Sequence, residues 1–340
     1  MTRPEVHRPE PTGPGDLRPE GPAGALGADV PLALDATGVS VSFPRAGGGL
    51  STVVRNLGLG MEREQVTVLL GESGSGKTVF SRAIIGLAAR TARVSGTSMF
   101  DGIDLIHADA VALRRVLGAR IGMVPQDPNS SLDPMRRIGA QITETILQHH
   151  QEQTPRLARA RAVALLELVQ IRDPERVLRC YPHEVSGGMR QRIAIAIALS
   201  CNPELVVADE PSSALDASVG VHVVGLLDDL RRRMGTAILF ITHDIGIAAQ
   251  VASQPRDRVA VMLGGRIVEL GFAADVLASP RHEYTRALIA AEPSAGIPRG
   301  QLAVVPDSIR NRRDWGALRE VAPGHAVAEE QDLQEHEGAA

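Results

Sequence analysis

Between Val66 and Leu70 the chain reads VTVLL, an apolar run that stops at a glycine-rich stretch. Four to eight apolar residues bounded by a turn signal predict a buried strand. Two more runs of this kind lie at Leu205–Ala208 and Ala237–Ile241, with a helix-like segment from Ala217 to Met234 between them. Strand and helix patterns in alternation predict an α/β core around a largely parallel sheet. From Leu32 the text LALDATGVSVSF alternates in places as a strand does, and Val94–Leu105 reads as a short hairpin with Asp101-Gly102 at its turn. Helical periodicity occupies the region from Ile138 to Gln170, where Leu157, Leu165, Leu166 and Val169 supply an apolar face. Asp173-Pro174 predicts a helix start, with the proline at the first helical position. Beyond Gly271 the pattern becomes loop-rich, and no internal repeat is present.

The ends differ from this core. Residues 1–31 are crowded with Pro, Gly and charge, with almost nothing to bury, and predict a disordered tail. Beyond Val327 the text turns acidic and predicts a solvated tail. The N-terminus lacks the basic-then-apolar layout of a signal peptide, and no apolar stretch approaches the ~20 residues a bilayer-spanning helix needs. A link to a membrane would therefore run through a partner.

Composition narrows the function classes. With 44% hydrophobic and 22% charged residues the 340-residue chain has ordinary globular values. A net charge of −4 gives no electrostatic reason for nucleic-acid binding, and 2% aromatics are too few for a base-stacking platform. Two cysteines, Cys180 and Cys201, cannot build a disulfide framework.

The segment after Leu70 is GESGSGKT, residues 71–78. It matches G-x-x-x-x-G-K-[ST] with Gly71, Gly76, Lys77 and Thr78 in the fixed places, and Glu72, Ser73, Gly74 and Ser75 between them. Such a loop turns successive backbone N–H groups inward around an anion, and the following helix adds its positive end. Lys77 is suited to the β- and γ-phosphates of a nucleotide and the Thr78 hydroxyl to Mg²⁺. Lys77 is also the only lysine among 36 basic residues. A compact ammonium fits a phosphate cradle where a guanidinium fork does not, so the exception to an all-arginine habit points to a chemical demand.

Other short stretches gain meaning beside this loop. LVVADEP at 205–211 ends a strand in Asp209 and Glu210. One acid there can hold Mg²⁺ through water, and its neighbour can deprotonate the attacking water. In YPHEVSGGMRQR, Ser186 can cap a helix while Gly187 and Gly188 leave its first N–H groups open. THD at 242–244 places His243 after the next strand.

Taken in order, GESGSGKT, VPQDP with Gln126, VSGGMRQR, VVADEP, SSALD with Asp216 and ITHD resemble the nucleotide-binding subunit of an ABC transporter over residues 34 to 292. IGMVPQDPNSSLDP, YPHEVSGGMRQR and SPRHEYTRALIAAEP look like the oligopeptide and dipeptide importer group, which also contains nickel and metal-chelate importers. His282-Glu283-Tyr284-Thr285 stands where that group carries His-Pro-Tyr-Thr, and PGHAV at 323–327 echoes its C-terminal extension. The resemblance implies a P-loop NTPase core with an antiparallel β subdomain, an inserted helical subdomain (about 127–185) and a short C-terminal extension. The nucleotide-binding domain would span 32–270 and the extension 271–327, ahead of the acidic tail at 328–340. Many members hold a cysteine cluster in the extension; no cysteine follows Cys201 here, so no iron–sulfur cluster is expected. Glu64-Gln65 replaces the family's usual Gly-Glu before the phosphate loop, a departure expected to have little consequence.

In that family two subunits sandwich two ATP molecules. The resemblance implies that Ser186, Gly187, Gly188 and Met189 act on the partner-bound nucleotide and that Glu210 is the general base. It also implies that His243 senses the γ-phosphate, that Thr78, Gln126 and Asp209 hold Mg²⁺, that Asp216 communicates across the dimer and that Phe43 stacks on adenine. Its implied partners are two transmembrane permease subunits, a second ATPase subunit, identical or homologous, and indirectly an extracytoplasmic solute-binding protein, with the chain on the cytoplasmic face of the membrane. A soluble ABC ATPase is the competing reading. Lys77 and Ser186 stand too close in the chain to admit the coiled-coil arms of repair members. Retention of Lys77, Glu210 and His243 argues against a third reading, a regulatory subunit without turnover.

Overall fold

The computed structural model describes residues 32–128, 131–150, 153–211, 217–292, 304–312 and 315–330. Both expected tails and Asp216 lie outside these residues, apart from the last three positions of β12 below. The chain opens with two long strands, β1 (Leu32–Pro44) and β2 (Leu50–Glu62), then β3 (Val66–Leu70) and α1 (Lys77–Ile84). Next come β4 (Arg93–Phe100), β5 (Ile103–Asp104), α2 (Ala110–Val116) and β6 (Ile121–Val124). A helical insert follows with α3 (Ile138–His149), α4 (Pro155–Leu168), α5 (Pro174–Val177) and α6 (Gly187–Ala198). The chain then returns to β7 (Leu205–Asp209), α7 (Ala217–Met234), β8 (Ala237–Thr242), α8 (Ile245–Val251), β9 (Arg258–Leu263) and β10 (Arg266–Phe272). Helices α9 (Ala273–Ala278), α10 (Glu283–Ala290) and α11 (Asp307–Arg310) lead to a final hairpin, β11 (Trp315–Ala322) and β12 (His325–Glu330).

Two sheets result. An antiparallel sheet runs β2-β1-β4-β5, and an eight-stranded sheet runs β11-β12-β10-β9-β3-β8-β7-β6, parallel from β9 to β6. Every residue of β3, β7, β8 and β9 is buried, which explains why these strands read as unbroken apolar runs rather than as alternation. Their two-residue period instead divides them between two cores. Val66, Val68 and Leu70 of β3 join Ile238 and Phe240 of β8 in the core under the helical insert. Leu69, Leu239 and Ile241 face the other way, into the core shared with α1 and the antiparallel sheet.

Local expectations hold at several points. Asp101 and Gly102 carry φ of 48° and 78° at the β4–β5 turn, the geometry that favours Asp-Gly. Asp173 caps α5 ahead of its first-turn proline.

Others are corrected. Leu157 is 57% exposed; the buried stripe of α4 is Ala158, Ala162, Leu165 and Leu166, one residue out of phase with it. The described residues after Gly271 are not mainly loop: they form helices α9, α10 and α11 and a hairpin that widens the large sheet. Short helices and a half-exposed edge strand leave only a weak periodic trace. Glu64 has a φ of 59°, a left-handed turn between β2 and β3. A glycine is at home there and a glutamate is strained, so the Glu64-Gln65 departure does have a structural consequence.

Candidate active site

The phosphate loop joins the end of β3 to α1, and Gly76 is the residue before the helix. Ser73 and Gly74 are exposed while Ser75, Gly76 and Lys77 are buried. The Lys77 ammonium donates to the carbonyls of Gly71 (2.7 Å) and Glu72 (2.9 Å). Burial pulls its pKa below the ordinary lysine value, against the opposing fields of Glu210, Asp209 and Glu72. A buried cation tethered only to carbonyls is poised to gain an anionic partner.

Parallel pairing places the ends of β3, β7 and β8 side by side, and the acids arrive with them. The Thr78 hydroxyl donates to Asp209 Oδ1 at 3.0 Å, linking the loop to β7. Burial raises the Asp209 carboxyl above its ordinary value, an effect partly offset by Thr78. Asp209 Oδ2 is buried without a hydrogen-bond partner. A carboxylate with one orphaned oxygen beside a threonine hydroxyl fits a hydrated cation. Among the described residues no group of three or more His, Cys, Asp or Glu side chains could hold a metal alone. The Asp209 carboxylate and the Thr78 hydroxyl have the oxygen chemistry that Mg²⁺ takes, and nucleotide oxygens and water would supply its remaining ligands.

Glu210 follows immediately, with a left-handed φ of 45°. Its N–H donates to Ile241 O at 3.0 Å, extending the β7–β8 pairing past the strand while the chain turns. That turn brings its carboxylate between two side chains: Gln126 Nε2 donates to Oε2 at 3.2 Å, and His243 Nδ1 lies 3.2 Å from Oε1. Three residues distant in sequence thus meet around one carboxylate that is only 13% exposed.

Ser186 caps α6, its Oγ accepting from Met189 N at 3.3 Å, and Ser186 and Gly187 are exposed. No hydrogen bond among the described residues ties Ser186, Gly187 or Gly188 to the phosphate loop. Phe43 is half-buried on β1, opposite Ser51, and packs against the core beneath the antiparallel sheet.

Four contributors were not assigned to the phosphate loop from the sequence, although Tyr284 stands in the importer-group element already noted. Gly265, in the β9–β10 turn, donates its N–H to Ser75 O (2.9 Å) and its carbonyl accepts from Arg55 N (2.9 Å). A Cβ there would stand 2.0 Å from Val53 O, so only glycine lets the turn prop the phosphate loop. The pair Gly264-Gly265 between two apolar runs was the available signal. Buried Asp257 accepts from Val66 N (3.0 Å) and from Arg231 Nη1 (2.8 Å), pinning the start of β3. Tyr284 and Arg310, from the C-terminal segment, both reach Glu72: Glu72 N donates to the Tyr284 hydroxyl (3.2 Å), and Arg310 donates Nη2 (2.8 Å) and Nε (3.1 Å) to the two carboxylate oxygens.

A nucleotide-binding loop, a strand-end acid pair and a flanking glutamine and histidine on a parallel sheet define a P-loop ATPase cassette. The ABC transporter family model matches residues 54–213. The chain is 41% identical over 280 residues to the probable D,D-dipeptide transport ATP-binding protein DdpD of Escherichia coli (strain K12), covering 82% of this chain and 84% of that protein. It is 41% identical over 263 residues to the oligopeptide transport ATP-binding protein OppD of Bacillus subtilis (strain 168), covering 77% and 72%. The dimeric ATP-binding cassette MJ0796, in a post-hydrolysis state bound to ADP and Pi, superimposes with a TM-score of 0.63 at 25% identity, covering 71% of this chain and 98% of that one. The chain belongs to the family of ABC transporter ATP-binding proteins, and it is an ATPase.

Proposed function

We propose that this chain is the ATP-hydrolysing subunit of an importer for oligopeptides or dipeptides. The observation that carries the reading is the gathering of Lys77, Thr78, Asp209, Glu210, Gln126 and His243 just beyond the ends of the neighbouring strands β3, β8, β7 and β6. The names of the relatives support peptides as the cargo.

In this reading two cassettes, identical or homologous, close on two nucleotides. Residues 71–78 of one hold the phosphates, and Ser186, Gly187, Gly188 and Met189 of the other complete the site from the start of α6. Phe43 offers a face to the adenine ring. Thr78, Gln126 and Asp209 would hold Mg²⁺, which when bound neutralises charge developing on the phosphoryl oxygens. Glu210 takes the proton of the attacking water, and His243, on its other oxygen, responds to the terminal phosphate. Asp216 relays the state of one site to the other. Nucleotide that touches both halves of the closed dimer but one half of the open dimer favours closure by that difference in affinity.

Among the described residues no helix is long and apolar enough to cross a membrane. In this reading the motion is passed to two transmembrane permease subunits, through the helical insert at about 127–185, on the cytoplasmic face of the membrane. An extracytoplasmic binding protein acts indirectly. The domain limits in this reading are 32–270 for the cassette and 271–327 for the extension.

The test is co-purification of the chain with its membrane partners, followed by reconstitution into vesicles. ATP turnover and peptide uptake should appear together, and both should vanish in Lys77→Ala. Lys77-dependent turnover without any membrane partner would overturn the transport reading, and nucleotide binding without turnover in the assembled complex would overturn the catalytic one.

A further inference from the structure

We propose that the C-terminal segment is a positioning device for the phosphate loop of its own chain, acting through Tyr284 and Arg310 on Glu72. Glu72 is the second residue of the loop, and three of its groups are engaged. Its carbonyl accepts from Lys77 Nζ (2.9 Å), its N–H donates to the Tyr284 hydroxyl (3.2 Å), and its carboxylate takes the Arg310 fork through both oxygens (2.8 and 3.1 Å). One of these contacts belongs to the nucleotide lysine and the other two to residues more than 200 positions away in the chain. A carbonyl locked at both neighbouring groups gives Lys77 a fixed anchor, so the ammonium is held where phosphate must reach it.

The anchor is itself braced. Tyr284 is fully buried, and burial pushes its phenol up to about 12, so the hydroxyl stays neutral and available as an acceptor. Its N–H donates to His282 Nδ1 (3.1 Å) at the start of α10. Buried Glu269 of β10 accepts from the N–H groups of Arg281 (2.7 Å) and His282 (3.1 Å) and lies 2.7 Å from His325 Nε2 of β12. The His282 ring meets Trp315 of β11 edge-on at 4.4 Å. The seating of the terminal hairpin is thereby transmitted through the start of α10 to the Tyr284 hydroxyl and the loop. Arg310 adds an electrostatic part. Glu72 is an acid in the loop that must accept a polyanion, and the guanidinium neutralises it there.

This inference rests on the ATPase activity and not on the nature of the cargo, and Lys77→Ala serves as the control for that activity. The experiment measures Kd for Mg-ATP on the full chain and KM and kcat in the assembled complex. Arg310→Ala should raise Kd and KM about tenfold, the scale of one uncompensated charge near a surface, with little change in kcat and a smaller effect in high salt. Arg310→Lys should recover part of the loss, since it restores the charge without the fork. In a Glu72→Gln background, Arg310→Ala should add less than about twofold, because the charge it neutralises is gone. Tyr284→Phe, which keeps the buried ring, should also raise KM. If Arg310→Ala and Tyr284→Phe both leave Kd and KM within about twofold of wild type while Lys77→Ala still abolishes turnover, the proposal is wrong. Full additivity of the Glu72 and Arg310 substitutions would overturn it as well.

Discussion

Replacing Glu210 separates chemistry from architecture more cleanly than any other single change. Glu210→Gln keeps the side-chain shape between Gln126 and His243 but removes its ability to take a proton. A positioned general base contributes roughly 10²–10⁴ in rate, or about 3–5.5 kcal/mol of barrier. Turnover in the assembled complex should fall by that range while ATP binding through residues 71–78 persists. The fold should not suffer, because the substitution removes a negative charge beside Asp209, whose carboxyl burial already disfavours.

Glu210→Gly completes the argument through the backbone. With φ at 45°, the native residue stores about 1–2 kcal/mol that glycine would release. Against this stand about 0.5–1 kcal/mol of extra chain entropy lost on folding and about 1 kcal/mol of side-chain hydrogen bonding. The net change in stability should lie within about 1 kcal/mol of zero, with turnover lost. The assays are single-turnover hydrolysis and urea unfolding of the nucleotide-free chain. Glu210→Gln turning over within about tenfold of wild type would refute the base assignment, and a loss above about 2 kcal/mol in Glu210→Gly would refute the strain argument.

Two further outcomes follow from the same geometry. Because burial raises the Asp209 carboxyl above its ordinary 3.8, the folded chain keeps that proton in a pH window where the unfolded chain releases it. Stability is therefore lost as pH rises through that window. Asp209→Asn should melt higher than wild type at neutral pH without nucleotide, lose the advantage below pH 3.8, and turn over Mg-ATP poorly; a lower melting temperature at neutral pH would contradict this. Gly265→Ala would press a Cβ to 2.0 Å from Val53 O at a φ of 84° and should cost about 2–5 kcal/mol together with nucleotide affinity. Gly102→Ala, with a similar φ of 78° but open space around it, should cost only about 1–2 kcal/mol, and equal losses in the two variants would show that the clash is relieved.

Much of this protein was determined by short stretches of its sequence. VTVLL, LVVAD and AILFIT are short runs rich in β-branched residues and bounded by turn signals, and they form strands buried on both faces. GESGSGKT forms its loop because glycines and a lone lysine impose that geometry locally, and Asp101-Gly102 turns for the same reason. Asp209, Glu210, Gln126 and His243 were legible as candidates, each standing at or just beyond a strand in a readable motif. What the motifs could not contain was the distance between them, which depends on the parallel order β3-β8-β7-β6.

The tertiary structure alone decided the rest. Leu157 faces solvent because the helix phase is set by what α4 packs against, not by its apolar count. The final hairpin joins the main sheet although its edge strand alternates only weakly. Gly265, Asp257, Tyr284 and Arg310 serve the phosphate loop from connections and helices far along the chain. Local sequence patterns report which face of an element is buried. They do not report which distant backbone carbonyl or N–H will be waiting there, because that is chosen only when the elements pack.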